Sequence, residues 1–140
     1  MGERLLVLVV VAAAVALAVY GVRTWNVRRV RALMQSTAAA AWDNLGNAPD
    51  GRPTVVTFST PSCAACHTAQ APAVIAVEAR LGPAAVRVIK IDAAQQPEVA
   101  RAFGVLTVPS TIVLAPSGRV VAVNQGFAPS GRLVEQLQRA

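Results

Sequence analysis

The feature that most restricts this chain is a stretch from Leu5 to Val22 with no charged residue and no proline. As a helix, those 18 residues would run about 27 Å, close to the thickness of a bilayer's hydrocarbon layer. A small domain has no interior of that length that is apolar on every side. The stretch is therefore expected to be a single membrane-spanning helix, with Tyr20 and Trp25 near its far interface. A cleaved signal peptide is the alternative, with Ala16-Leu17-Ala18 as a small-residue cleavage site. Against it, the apolar run exceeds a usual signal core and Glu3 offsets Arg4. The expected layout is an anchor with flanks over 1–25, a helical stalk or linker over 26–51, and a domain over 52–140.

Charge supports that layout. The chain carries a formal net charge of +6, and a basic balance invites a nucleic-acid reading. However, Arg23, Arg28, Arg29 and Arg31 cluster just past the apolar stretch, the remaining basic residues are scattered, and aromatics make up only 4% of the chain. No nucleic-acid partner is expected. Positive flanks tend to stay in the cytoplasm, which places the C-terminal domain there; the extracytoplasmic face is the alternative.

Beyond the anchor, Val27 to Leu45 has helical apolar spacing and stops at Gly46, Asn47 and Pro49. The remainder alternates. Strands are expected over 54–58, 85–91, 110–114 and 119–123, the last two joined by a turn at Pro116-Ser117-Gly118. Helices are expected over 63–81, kinked by Pro72, over 97–103, and from a capping Ser130 onward. Strands separated by helices pair in parallel, and a short turn makes a hairpin. The fold class is α/β, with a mixed sheet of about four strands covered by helices on both faces.

Chemistry concentrates in Cys63-Ala-Ala-Cys66-His67, which follows a strand and opens a helix. Two cysteines this close cannot staple distant parts of a fold. Nor do Cys63, Cys66 and His67 supply the four Cys or His ligands of a closed zinc site, so no metal is expected. At a helix start, backbone N–H groups lack partners and carry partial positive charge, which favours a thiolate at Cys63. Thiols so placed fall from about 8.5 toward 7 or below, and thiolates attack disulfides. Three positions along a helix return Cys66 to the same face. Cys63 is thus the expected nucleophile, Cys66 the resolving thiol, and the pair a redox disulfide. His67 either favours the Cys63 thiolate or moves protons, or it is a solvated side chain on the first helical turn. Two other readings stay open. Cys63-x-x-Cys66-His67 is literally a c-type haem attachment pattern, though Met1 and Met34 are the only candidates for a second axial ligand. A non-enzymatic binding module is the other.

From Thr54 onward the chain resembles thioredoxin. The resemblance rests on the strand–CxxC–helix order, Lys90-Ile91-Asp92 closing the next strand, Gly104-Val-Leu-Thr-Val108-Pro109-Ser110, the Ser117-Gly118 turn and Gly126. It implies a thioredoxin-like fold and thiol-disulfide exchange with no cofactor, a disulfide-bearing protein as substrate and a separate electron donor. It also implies a cis Pro109 beside the disulfide, where Val108 and Pro109 would line an extended substrate. The spacing from Cys63 to Pro109 leaves no room for the helical insertion of the family's dedicated oxidants, so reduction is the expected direction. The departures are Thr57 where the family has a buried carboxylate, Val88 in place of a lysine, Ser59 and Ser62 in place of tryptophans, and a helix proline one residue late. They suggest a specialised partner.

Overall fold

The computed structural model of the chain describes residues 2–35 and 38–140. It divides into two units, Met1–Ala32 and Leu33–Ala140.

The first unit lies within helix α1, Gly2–Gln35, whose last residues belong to the second. Its stretch Leu6–Arg29 is long and apolar enough to cross a membrane, and none of it is buried. A signal sequence would meet the same criterion. Arg29 stacks over Trp25, 5.5 Å from the ring centroid. The described residues of the stretch expected to be helical from Val27 to Leu45 are helical. Its first part continues α1, and its last part is α2, Ala38–Leu45; residues 36–37 between them lie outside the described residues.

The second unit is a four-stranded sheet in the order β2-β1-β3-β4. Strand β1 is Thr54–Ser59, β2 is Arg87–Asp92, β3 is Ser110–Leu114 and β4 is Val120–Gln125. β1 pairs parallel with β2 and antiparallel with β3, and β3 pairs antiparallel with β4. Strand β2 begins two residues later than expected, because the Ala85 N–H turns back onto the Gly82 carbonyl at 3.1 Å. β4 runs two residues longer, carrying the ladder to the Ser110–Gln125 pair.

Period-two alternation gives the sheet two unlike faces. Val56, Phe58, Ile112 and Leu114 point toward α2 and toward α4, Pro97–Ala102. There they meet Trp42, Leu45 and Phe103, with the Phe58 and Phe103 rings 5.9 Å apart. Val55 and Val113 point the other way, onto Val74 and Val77 of α3, Ala71–Leu81, and Leu133 and Leu137 of α5, Ser130–Leu137. Thr57 and Ser59 share that second face. Ser130 opens α5 as its first residue but makes no side-chain cap; Pro129 holds the cap position.

The loop between α2 and β1 is tied down by Arg87. Its guanidinium donates to the Ala48 carbonyl and to Asn47 Oδ1, each at 2.8 Å, and lies 5.8 Å from the centroid of the buried Trp42 ring. Nearby, the Arg52 side chain hydrogen-bonds Asp50 and holds its carboxyl below the usual range.

Candidate active site

β1 ends at Ser59, and the chain turns sharply, with the Cys63 N–H donating to the Thr60 carbonyl at 3.1 Å. Helix follows at once. The sulfurs of Cys63 and Cys66 are bonded to each other at 2.11 Å, with Cα atoms 5.3 Å apart. The bond uses both sulfurs that a haem thioether attachment would need. The Cys66 N–H points at Cys63 Sγ, 3.2 Å away. This is one of the partnerless amides of a helix start, aimed at the outer sulfur. Cys63 is half-buried, whereas Cys66 is 4% exposed. The outer sulfur is thus the accessible one.

The helix after Cys63 is not the continuous α-helix expected. Residues Cys66–Gln70 form a π turn, closed by the Ala71 N–H on the Cys66 carbonyl. The turn takes up the residue that delays the proline. Pro72 then falls at the junction where α3 takes over from the π turn, in the first turn of α3. The π turn also directs Gln70 inward. Gln70 is 1% exposed and grips a single residue of the loop before α5. It donates to the Ala128 carbonyl at 3.1 Å and accepts from the Ala128 N–H at 2.9 Å.

The Val108–Pro109 peptide bond is cis. Register places it beside the cysteine turn. Phe58, one residue from the end of β1, pairs with Ser110, so Pro109 sits at the same end of the two central strands from which the Cys63 loop departs. The Pro109 carbonyl accepts from the Gly126 N–H at 2.9 Å. Gln125 holds the whole loop. It accepts from the Leu106 N–H at 3.2 Å, lies 3.1 Å from the Ser110 hydroxyl, and donates to the Gly104 carbonyl at 2.9 Å. Gly104 and Gly126 both take positive φ, 66° and 89°, which glycine alone adopts at little cost. Leu106 and Phe127 stand half-exposed on the two loops.

His67 is exposed. Its Nε2 lies 3.2 Å from the Pro61 carbonyl, and because a carbonyl only accepts, Nε2 carries the proton. Behind Cys66 a cleft of about 210 Å³ is bounded by Thr57 and Ser59 on β1, Lys90 on β2, and Cys66, His67 and the start of α3.

Sequence reasoning named Cys63, Cys66, His67, Val108 and Pro109 but missed Gln70 and Gln125. The late proline was the available signal for Gln70. For Gln125 it was the hairpin register, which sets it opposite Ser110.

Comparison with known proteins agrees with this architecture. The family model described as Thioredoxin matches residues 34–139. A curated relative, the SPbeta prophage-derived thioredoxin-like protein YosR of Bacillus subtilis (strain 168), is 48% identical over 40 residues, which are 29% of this chain and 50% of that protein. The chain thus spans half the length of that relative. Among solved structures, Fasciola hepatica thioredoxin is 28% identical with a TM-score of 0.53, over 64% of this chain and 81% of that one. Thioredoxin-2 of the malaria parasite is 22% identical with a TM-score of 0.58, over 64% and 84%. A thioredoxin-family thiol:disulfide interchange protein from Chlorobium tepidum TLS is 19% identical with a TM-score of 0.54, over 71% and 83%. The last two speak to the fold alone. With the family model covering most of its length, and with this sheet and this cysteine turn, the chain belongs to the thioredoxin family.

Proposed function

We propose that this protein is a membrane-tethered thiol-disulfide oxidoreductase that reduces disulfides in a protein substrate. The observation that carries the reading is the Cys66 N–H aimed at Cys63 Sγ, 3.2 Å away, at the start of a helix. The same donor would favour a thiolate at Cys63 once the pair is reduced. That thiolate attacks one sulfur of the substrate disulfide, forms a mixed disulfide and expels the other substrate sulfur as thiolate. Cys66 then attacks the Cys63 sulfur, expelling the second substrate thiolate and closing the Cys63–Cys66 disulfide. Two electrons pass to the substrate, and a separate dithiol donor returns them. Val108 and Pro109 would flank the substrate chain, which lies extended. Tethering is through residues 5–22 as a single-pass span. The four arginines after it favour a cytoplasmic domain.

Insulin reduction by the detergent-solubilised full chain tests the enzymatic claim. Wild type should precipitate insulin chains in the presence of dithiothreitol well above the uncatalysed rate, and Cys63→Ser should not. Equal rates would make this a binding module.

A further inference from the structure

Closing the Cys63–Cys66 disulfide requires Cys66 to lose a proton, and Cys66 is 4% exposed. Its opening is the cleft behind it. Besides Cys66, two titratable side chains bound that cleft, His67 and Lys90; the others are Thr57, Ser59, Ala71, Val74 and Ile75. Among the described residues, no carboxylate lines it. The carboxylate on β2 nearest in register, Asp92, is turned onto the Ala94 and Gln95 N–H groups at 2.8 and 3.3 Å. A lysine ammonium has three donors and no lone pair, so Lys90 cannot receive the proton in its charged form. It can only steady the negative sulfur. An imidazole can receive it. The His67 Nε2 lies 3.2 Å from the Pro61 carbonyl, so in the neutral ring Nε2 holds the proton and Nδ1 keeps the lone pair. The cleft has room for several waters at about 30 Å³ each, and the Thr57 and Ser59 hydroxyls offer them partners.

We propose that His67 is the proton acceptor for Cys66, working through water in the Thr57–Lys90 cleft. This rests on the exchange reaction proposed above. As Cys66 attacks the Cys63 sulfur, its S–H proton passes by way of water to His67 Nδ1. The departing substrate thiolate leaves with the electron pair of the broken S–S bond. The imidazolium then returns its proton to solvent, since His67 is exposed.

The test follows the two sulfurs separately. The reduced full-length protein in detergent is mixed with 5,5′-dithiobis(2-nitrobenzoate). Attack by Cys63 releases one coloured thiolate, and resolution by Cys66 releases the second. The rate of the second release should show an inflection with pH that depends on His67. His67→Gln should slow that second phase by about tenfold or more at neutral pH and remove the inflection. Added imidazole should restore the rate in His67→Gln while leaving wild type unchanged, a rescue that a purely structural role would not permit. Lys90→Met should retain the inflection. An unchanged second phase in His67→Gln, or no rescue, overturns the proposal while leaving the exchange reading intact. A wild type that never releases the second thiolate overturns the exchange reading itself.

Discussion

At the scale of single residues, the site depends on polar side chains that carry no charge. Gln70 satisfies both the N–H and the carbonyl of Ala128, a residue with no exposed surface. Gln70→Leu keeps the volume roughly constant but leaves both groups buried and unpaired, at about 1–3 kcal/mol each. The expected loss is about 3 kcal/mol in urea unfolding, with the slope unchanged. Gln70→Glu should recover part of it, because one carboxylate oxygen still accepts from the Ala128 N–H. The cysteine pair was legible from residue type and spacing, whereas the cis proline and the missing buried acid at Thr57 were legible only through the resemblance to thioredoxin. Gln70 and Gln125 were not. A glutamine is ordinarily a surface residue, and only the three-dimensional register shows which backbone groups it meets.

At the scale of elements, four strands and the helices that separate them could be read from β-branched runs and from glycine and proline punctuation. The π turn could not. Periodicity alone gave a helix over 63–81 kinked at Pro72, because an inserted residue and a kink leave the same trace in an apolar pattern. The structure puts the irregularity at Cys66–Gln70, upstream of the proline. Deleting Ala69 should convert the π turn to an ordinary helical turn and swing Gln70 away from Ala128. Its stability loss should then resemble that of Gln70→Leu, and the double variant should lose little more than either change alone. Full additivity in denaturant titrations would refute the coupling. On the opposite face, Arg87 links β2 to the loop after α2 by two 2.8 Å bonds. Arg87→Met keeps much of the contact with Trp42 but loses both bonds, and a loss of about 1–3 kcal/mol is expected in the same measurement.

For the whole molecule, the apolar helix and the family domain demand different surroundings. The exposed side chains of α1, Leu6, Leu8 and Leu17 among them, are the kind that lipid covers. After an alkaline carbonate wash the full chain should stay in the membrane pellet. A signal sequence removed on export would instead release a shorter chain. Orientation can be read from the same cells with a membrane-impermeant thiol reagent after mild reduction. Protection of Cys63 until lysis agrees with a cytoplasmic domain, and labelling of intact cells reverses it. Changing Arg23, Arg28, Arg29 and Arg31 to glutamate should shift the population toward labelling, if positive charge sets the topology.

The π turn has a further consequence for how this fold tolerates change. One extra residue in an unbroken α-helix rotates everything beyond it by about 100° and advances it by about 1.5 Å. Val74 and Val77 would then leave the sheet, and the second core would have to be rebuilt. Here the phase error is spent within five residues. The chain on either side keeps its partners, and only the side chains inside the turn are re-aimed. The turn between the resolving cysteine and α3 is therefore a place where a change of length is absorbed locally, at the expense of the Gln70–Ala128 bonds and not of the sheet packing. It is the natural segment in which to alter what surrounds Cys66 without redesigning what supports it.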